Sequence, residues 1–125
     1  MNSVSYFEIQ VDEPEKTISF YSEIFGWKFE KDETIPVDYW RIQGAGPFGG
    51  LLKRIAPVPQ QPAGTNAYVC SMQVENFDAS AKKILKRGGK VALEKFAVAG
   101  KCWQGYFIDT QGNTFGIFEV DEKAV

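Results

Sequence analysis

The strongest constraint on this chain is that it passes through the same order of patterns twice. Val4 to Val11, VSYFEIQV, alternates. Tyr6, Glu8 and Gln10 fall on one face and Phe7, Ile9 and Val11 on the other, the period of a half-buried strand. Asp12, Pro14 and Glu15 make a helix-start pattern, a capping box with proline in the first turn. Ile18, Tyr21, Ile24 and Phe25 then recur at helical spacing, and Gly26 is placed to end the helix. Trp27–Glu30, Val37–Gln43 and Gly50–Ile55 read as three short strands. The uncharged, proline-rich IAPVPQQPAGTN, residues 55–66, is a linker that reaches roughly 40 Å when extended.

The order then returns. Ala67–Val74 reads as a strand, Asn76 as a helix N-cap, and Phe77, Ala81, Ile84 and Leu85 as a helical apolar stripe ending at Gly88-Gly89. Val91–Phe96, Cys102–Ile108 and Thr114–Val120 read as closing strands. A shift of 63 residues lays Gln10-Val11 on Gln73-Val74, Gly26 on Gly89, Trp40 on Trp103 and Gly49 on Gly112. The prediction is an α+β chain of two tandem βαβββ modules, about 4–56 and 66–121, in one domain of residues 1–125. A generic α+β domain with accidental internal similarity is the alternative.

Composition removes several function classes. At 125 residues, 44% hydrophobic and 14% aromatic, the chain is long and apolar enough to bury a core. Its net charge is −2 and no basic stripe runs along it, which argues against nucleic acid. No apolar run approaches the ~18 residues of a membrane span. MNSVSYFEIQ lacks the regions of a signal peptide, so the expected compartment is the cytoplasm, where Cys70 and Cys102 form no disulfide. Histidine is absent, which removes the commonest general base, the Ser-His and Cys-His nucleophile pairs and the commonest transition-metal ligand. Cys102 therefore has no histidine to activate it.

The stretch DTQGNTFGIFE, residues 109–119, begins as a turn and continues as a strand with a bare glycine, Gly116, in its middle. A glycine there needs a reason, such as a bulge or a close approach.

YFEIQVDEPEKTISFYSEIFGWKFE, DYWRI, GGLLKR and DTQGNTFGIFE together resemble the glyoxalase/bleomycin-resistance/dioxygenase superfamily, also called the vicinal oxygen chelate superfamily. The lactoylglutathione-lyase-related group is the most similar, and the resemblance covers nearly the whole chain. It implies paired βαβββ modules whose sheets curl around a central cleft, with helices outside. Metal-dependent members hold a divalent ion there, with ligands from the first and fourth strand of each module. Carried over by motif, those positions are Tyr6, Lys53, Val69 and Gly116. Valine and glycine cannot coordinate, and lysine brings a cation to a cation's place. A register two residues away brings in Glu8 and Ser71, still one carboxylate and one hydroxyl. The expectation is no metal and no cofactor, with Gly116 standing in space that a ligand side chain has vacated. A positive-φ bulge is the competing explanation for Gly116.

The resemblance then makes Tyr6, Glu8, Gln10, Lys53, Ser71, Gln73 and Gly116 the cleft-facing set, with Trp40, Trp103 and Tyr106 as aromatic neighbours. Each has a plainer role available: the tryptophans and Tyr106 as sheet packing, Glu8 and Lys53 as a mutual ion pair. The leading function is metal-free binding of a small, partly aromatic or conjugated molecule. The alternative is a metal-independent lyase or isomerase with Glu8 as base and Lys53 or Tyr6 stabilising an oxyanion. A metal-dependent lyase or dioxygenase, and a module acting through a homodimer face, are the remaining options.

Overall fold

The computed structural model describes residues 6–54 and 68–125, so the linker expected over 55–66 lies outside the described residues. Two compact units divide the chain, residues 1–60 and 61–125.

Unit 1 runs β1 (Tyr6–Val11), α1 (Pro14–Phe25), β2 (Lys28–Lys31), β3 (Tyr39–Gln43) and β4 (Phe48–Lys53). Its sheet order is β1-β4-β3-β2, with β1 parallel to β4 and the other pairs antiparallel. The α1 start departs from expectation. The N-cap is Glu13 with no side-chain cap bond, so the Asp12 capping box does not form, although Pro14 does open the helix. Gly26 closes it in the left-handed conformation at φ 72°, which glycine adopts without a side-chain penalty. α1 buries Thr17, Phe20 and Tyr21. Tyr21 stacks on Trp27 at 4.9 Å and Trp27 meets Phe7 edge-on at 6.2 Å, so the helix covers the face bearing Phe7, Ile9 and Val11. Val11 and Leu51 are fully buried there.

Unit 2 repeats the order with β5 (Ser71–Gln73), α2 (Phe77–Lys86), β6 (Lys90–Val98), β7 (Cys102–Ile108) and β8 (Thr114–Val120), its sheet running β5-β8-β7-β6. The first strand is shorter than its alternation suggested: residues 68–70 are not strand. Asn76 caps α2, its Oδ1 accepting the Ala79 N–H at 2.8 Å. The Phe77 N–H donates to Glu119 Oε1 at 2.6 Å, satisfying a second helix-start amide from the sheet. Phe77, Ile84, Phe107, Phe115 and Ile117 form the buried layer.

The two units are copies of one βαβββ plan, but a constant 63-residue shift does not hold. Strand pairing sets Glu8, Gly50 and Arg41 side by side in unit 1, and Ser71, Gly116 and Tyr106 side by side in unit 2. Glu8 answers to Ser71, 63 residues on; Arg41 answers to Tyr106, 65 on; Gly50 answers to Gly116, 66 on. Two register shifts in β6, between Val91 and Leu93 and between Leu93 and Phe96, add residues to that strand. The β7–β8 turn is also longer than the β3–β4 turn, with five residues between strands rather than four. Trp40 therefore answers to Gly105, not Trp103, and Gly116 answers to Gly50, not Lys53.

Candidate functional site

Because neighbouring residues alternate across a strand, pairing register decides which side chains share a face. In unit 1 the face away from α1 carries Tyr6, Glu8 and Gln10 from β1, Phe48, Gly50 and Leu52 from β4, and Tyr39 and Arg41 from β3. A hydrogen-bond chain crosses it. Tyr39 Oη donates to Glu8 Oε2 at 2.7 Å. That bond uses the only Tyr39 proton, so in the 2.5 Å contact between the two phenols Tyr6 is the donor and Tyr39 the acceptor. Arg41 Nη1 donates to Tyr6 Oη at 2.8 Å, and Arg41 Nε donates to Asp32 Oδ2 at 3.0 Å. Every bond between Arg41 and Glu8 thus points the same way, from guanidinium to carboxylate.

The charges agree with that direction. Burial raises the Tyr39 phenol well above its ordinary value, and its bonds to Tyr6 and Glu8 add to the shift, so Tyr39 stays a proton donor. Hydrogen bonds from Thr34, then from Arg41, hold Asp32 below the usual carboxylate range. Asp32 and Tyr6 in turn raise Arg41. Arg41 also lies 5.1 Å from the Tyr39 ring centroid, a cation–π contact that fixes the guanidinium. Gly50 is required beneath this array: a Cβ there would land on the Tyr39 hydroxyl and Cζ. At the rim, Phe48 is 80% exposed beside Tyr6, an apolar ring next to charged groups.

The matching face of unit 2 carries Ser71, Gln73, Gln104, Tyr106, Gly116 and Phe118. It has no charged side chain among these residues. Gln104 Nε2 donates to Ser71 Oγ at 3.2 Å, and Tyr106 stacks on Phe96 at 6.4 Å. Gly116 is neither a positive-φ bulge nor a residue beside open space. Its φ is outside the left-handed region, and a Cβ would meet Ser71 Oγ, with Gln104 Nε2 at 2.8 Å and Tyr106 Cε1 at 3.0 Å. The expectation that Gly116 stands in vacated space is therefore corrected, because neighbouring side chains already occupy that volume.

Three sequence candidates stand elsewhere. Trp40 pairs with Leu51, on the α1 side of its sheet, with Lys31 5.4 Å from its ring. Trp103 pairs with Glu119 on the α2 side, donates its indole N–H to Asp121 at 2.9 Å and lies under Lys95 at 4.8 Å. Lys53 pairs with Val11 and so has the opposite parity to Glu8; the expected Glu8–Lys53 pair is not made. Tyr39, Arg41 and Asp32 were not singled out by the sequence. The signal is present in DYWRI, where Tyr39 and Arg41 share a parity against Trp40 and Ile42, and the pair facing away from α1 is Tyr39 and Arg41.

A divalent metal does not fit the donors here. The row in unit 1 supplies one carboxylate, Glu8, already engaged by Tyr39, beside Gly50 and the cation Arg41, and the row in unit 2 supplies only the hydroxyls of Ser71 and Tyr106 beside Gly116. Among the described residues no group of three or more His, Cys, Asp or Glu could hold a metal ion. No helix of the described residues is long and apolar enough to cross a membrane.

The profile of the Glyoxalase/Bleomycin resistance protein/Dioxygenase superfamily matches residues 3–117. A "Glyoxylase-like domain-containing protein" of Didymella fabae is 29% identical over 122 residues, covering 91% of both chains. Among solved structures, the genomically encoded fosfomycin resistance protein FosX of Listeria monocytogenes aligns with TM-score 0.73 at 18% identity, over 94% of this chain and 90% of that one. A hypothetical protein of S. aureus aligns with TM-score 0.71 at 21% identity, over 95% and 98%. At these identities the structural likeness speaks for the fold alone.

Proposed function

Given that the chain belongs to the glyoxalase/bleomycin resistance protein/dioxygenase superfamily, we propose that it binds a small, partly aromatic or conjugated molecule, without a metal, on the polar face of its first sheet. The observation that carries this is the directed chain from Arg41 through Tyr6 and Tyr39 to Glu8, beside the exposed Phe48 ring. A ligand ring can lie against Phe48 and Tyr6 while its polar atoms meet the Glu8 carboxylate and the Arg41 guanidinium. Small-molecule sites commonly combine apolar walls with a few placed polar groups in this way. FosX of L. monocytogenes has been solved complexed with Mn(II) and sulfate ion; the donor set here, with Glu8 as its one carboxylate, supports a site without a metal.

The test is a thermal-stability screen of small aromatic and thiol-conjugated compounds, run with a chelator and again with Mn(II). A ligand at about 100 times its Kd stabilises the fold by about 2.7 kcal/mol through mass action. Hits that persist with chelator support the proposal. Stabilisation that appears only with Mn(II) contradicts it.

One observation favours a catalytic version of the same site. Tyr39 is a phenol held protonated 2.7 Å from a carboxylate, an acid beside a base. If Glu8 removes a proton from carbon, a hit incubated in D2O incorporates deuterium with wild-type protein and not with Glu8→Gln. Binding without exchange leaves the site a receptor.

A further inference from the structure

Unit 1 contains an open pocket of about 390 Å³ lined by the β2–β3 connection and by the end of β4. This size falls within the range of small-molecule sites. Its lining includes Ile35, Pro36 and Val37. Its charges are unevenly matched. Lys31 pairs with Asp38 at 3.7 Å, Arg54 pairs with Asp12 at 3.4 Å, and Asp32 accepts from Arg41 and Thr34. Lys53 and Glu33 also line the cavity, and neither side chain has an ion-pair or hydrogen-bond partner among the described residues. One cation and one anion without protein partners thus share an open, largely charged pocket that has one apolar strip, Ile35 to Val37.

An ion of either sign would satisfy one of these groups and be repelled by the other. A molecule carrying both charges on an apolar body would satisfy both. We propose that this cavity is a binding site for a small zwitterion of the apolar amino-acid type, its carboxylate on Lys53 and its ammonium on Glu33, with its side chain against Ile35 and Val37. The inference does not depend on what the polar face binds. Lys53 and Glu33 are both exposed, so each charge contact contributes only about threefold in affinity.

The test is a titration of the ¹⁵N-labelled full chain, followed by amide spectra, with L-leucine, N-acetyl-L-leucine and L-leucinamide. L-Leucine is expected to shift the Glu33, Ile35, Val37 and Lys53 amides saturably, and each single-charge analogue to bind about threefold more weakly or worse. Lys53→Gln should remove the advantage of L-leucine over L-leucinamide, and Glu33→Gln its advantage over N-acetyl-L-leucine. Unchanged dispersion in the spectra shows that both variants remain folded. No saturable shift at these amides, equal affinity for all three probes, or unchanged L-leucine affinity in both variants overturns the proposal.

Discussion

The sheets of the two units share strand order, pairing directions and a glycine at the centre of the fourth strand, yet their exposed faces are chemically different. Around Gly50 lie Glu8, Tyr39, Tyr6 and Arg41, joined by directed hydrogen bonds between opposite charges. Around Gly116 lie Ser71, Gln104, Tyr106 and Phe96, neutral and joined by one 3.2 Å amide–hydroxyl bond and ring stacking. In both places glycine leaves room for a side chain from an adjacent strand. In unit 1 that side chain is a buried phenol fixed by two partners; in unit 2 it is a serine and a glutamine amide that can rotate. The scaffold occurs twice, and the side chains resting on the two glycines give only one copy a charged, directed hydrogen-bond chain.

The largest expected effect separates the glycines. Gly50→Ala puts a methyl on the Tyr39 ring, which is 5% exposed and cannot move without breaking the chain to Glu8. Overpacking of this kind is expected to cost about 3 kcal/mol. Gly116→Ala meets rotatable groups and is expected to cost about 1 kcal/mol. Chemical denaturation of both variants checks this, and equal losses would erase the distinction between the sites.

Tyr39→Phe comes next. It strips a donor from Glu8 and an acceptor from Tyr6, with an expected loss of about 1–2 kcal/mol. Because folding raises the Tyr39 pKa above its ordinary 10.0, its contribution to stability is complete below pH 10.0 and fades as pH rises toward the folded value. Alkaline absorbance titration of the folded protein should therefore show a late-ionising tyrosine component that is lost in Tyr39→Phe. A wild-type titration with no late component would contradict the buried donor.

The smallest effect concerns Asp32. Its folded pKa lies below the ordinary 3.8, so it stabilises the fold above that pH and loses this contribution as pH falls through the folded value. Asp32 is exposed to solvent screening, so Asp32→Asn should flatten the acid limb of the melting profile only slightly, without changing it near neutrality. A loss as large as that of Tyr39→Phe would mean that Arg41 depends on Asp32 for its placement.

Alternation and turn chemistry made every strand and helix legible, because each of those signals is local. The Gly26 and Asn76 caps appear where the sequence put them. The site was less legible. A gapless shift cannot see a bulge, and the irregularities of β6 together with the longer β7–β8 turn displaced the comparison by three residues in β8. That error placed Lys53 opposite Gly116 and paired Trp40 with Trp103. Glu8 and Tyr6 were found because β1 precedes any irregularity. Arg41 and Tyr39 join them only through cross-strand neighbours 31 to 35 residues away, a proximity that no local pattern encodes.

The most direct measurement of the difference between the faces is a paired ligand screen on Glu8→Gln and Ser71→Ala, corresponding positions of the two first strands. Each variant and the wild type are melted against the same compounds, with chelator present. If the charged face binds, compounds that stabilise the wild type lose at least about tenfold in affinity, about 1.4 kcal/mol, in Glu8→Gln and keep theirs within about twofold in Ser71→Ala. Equal losses in both variants, or a loss confined to Ser71→Ala, would contradict the assignment of the site to unit 1.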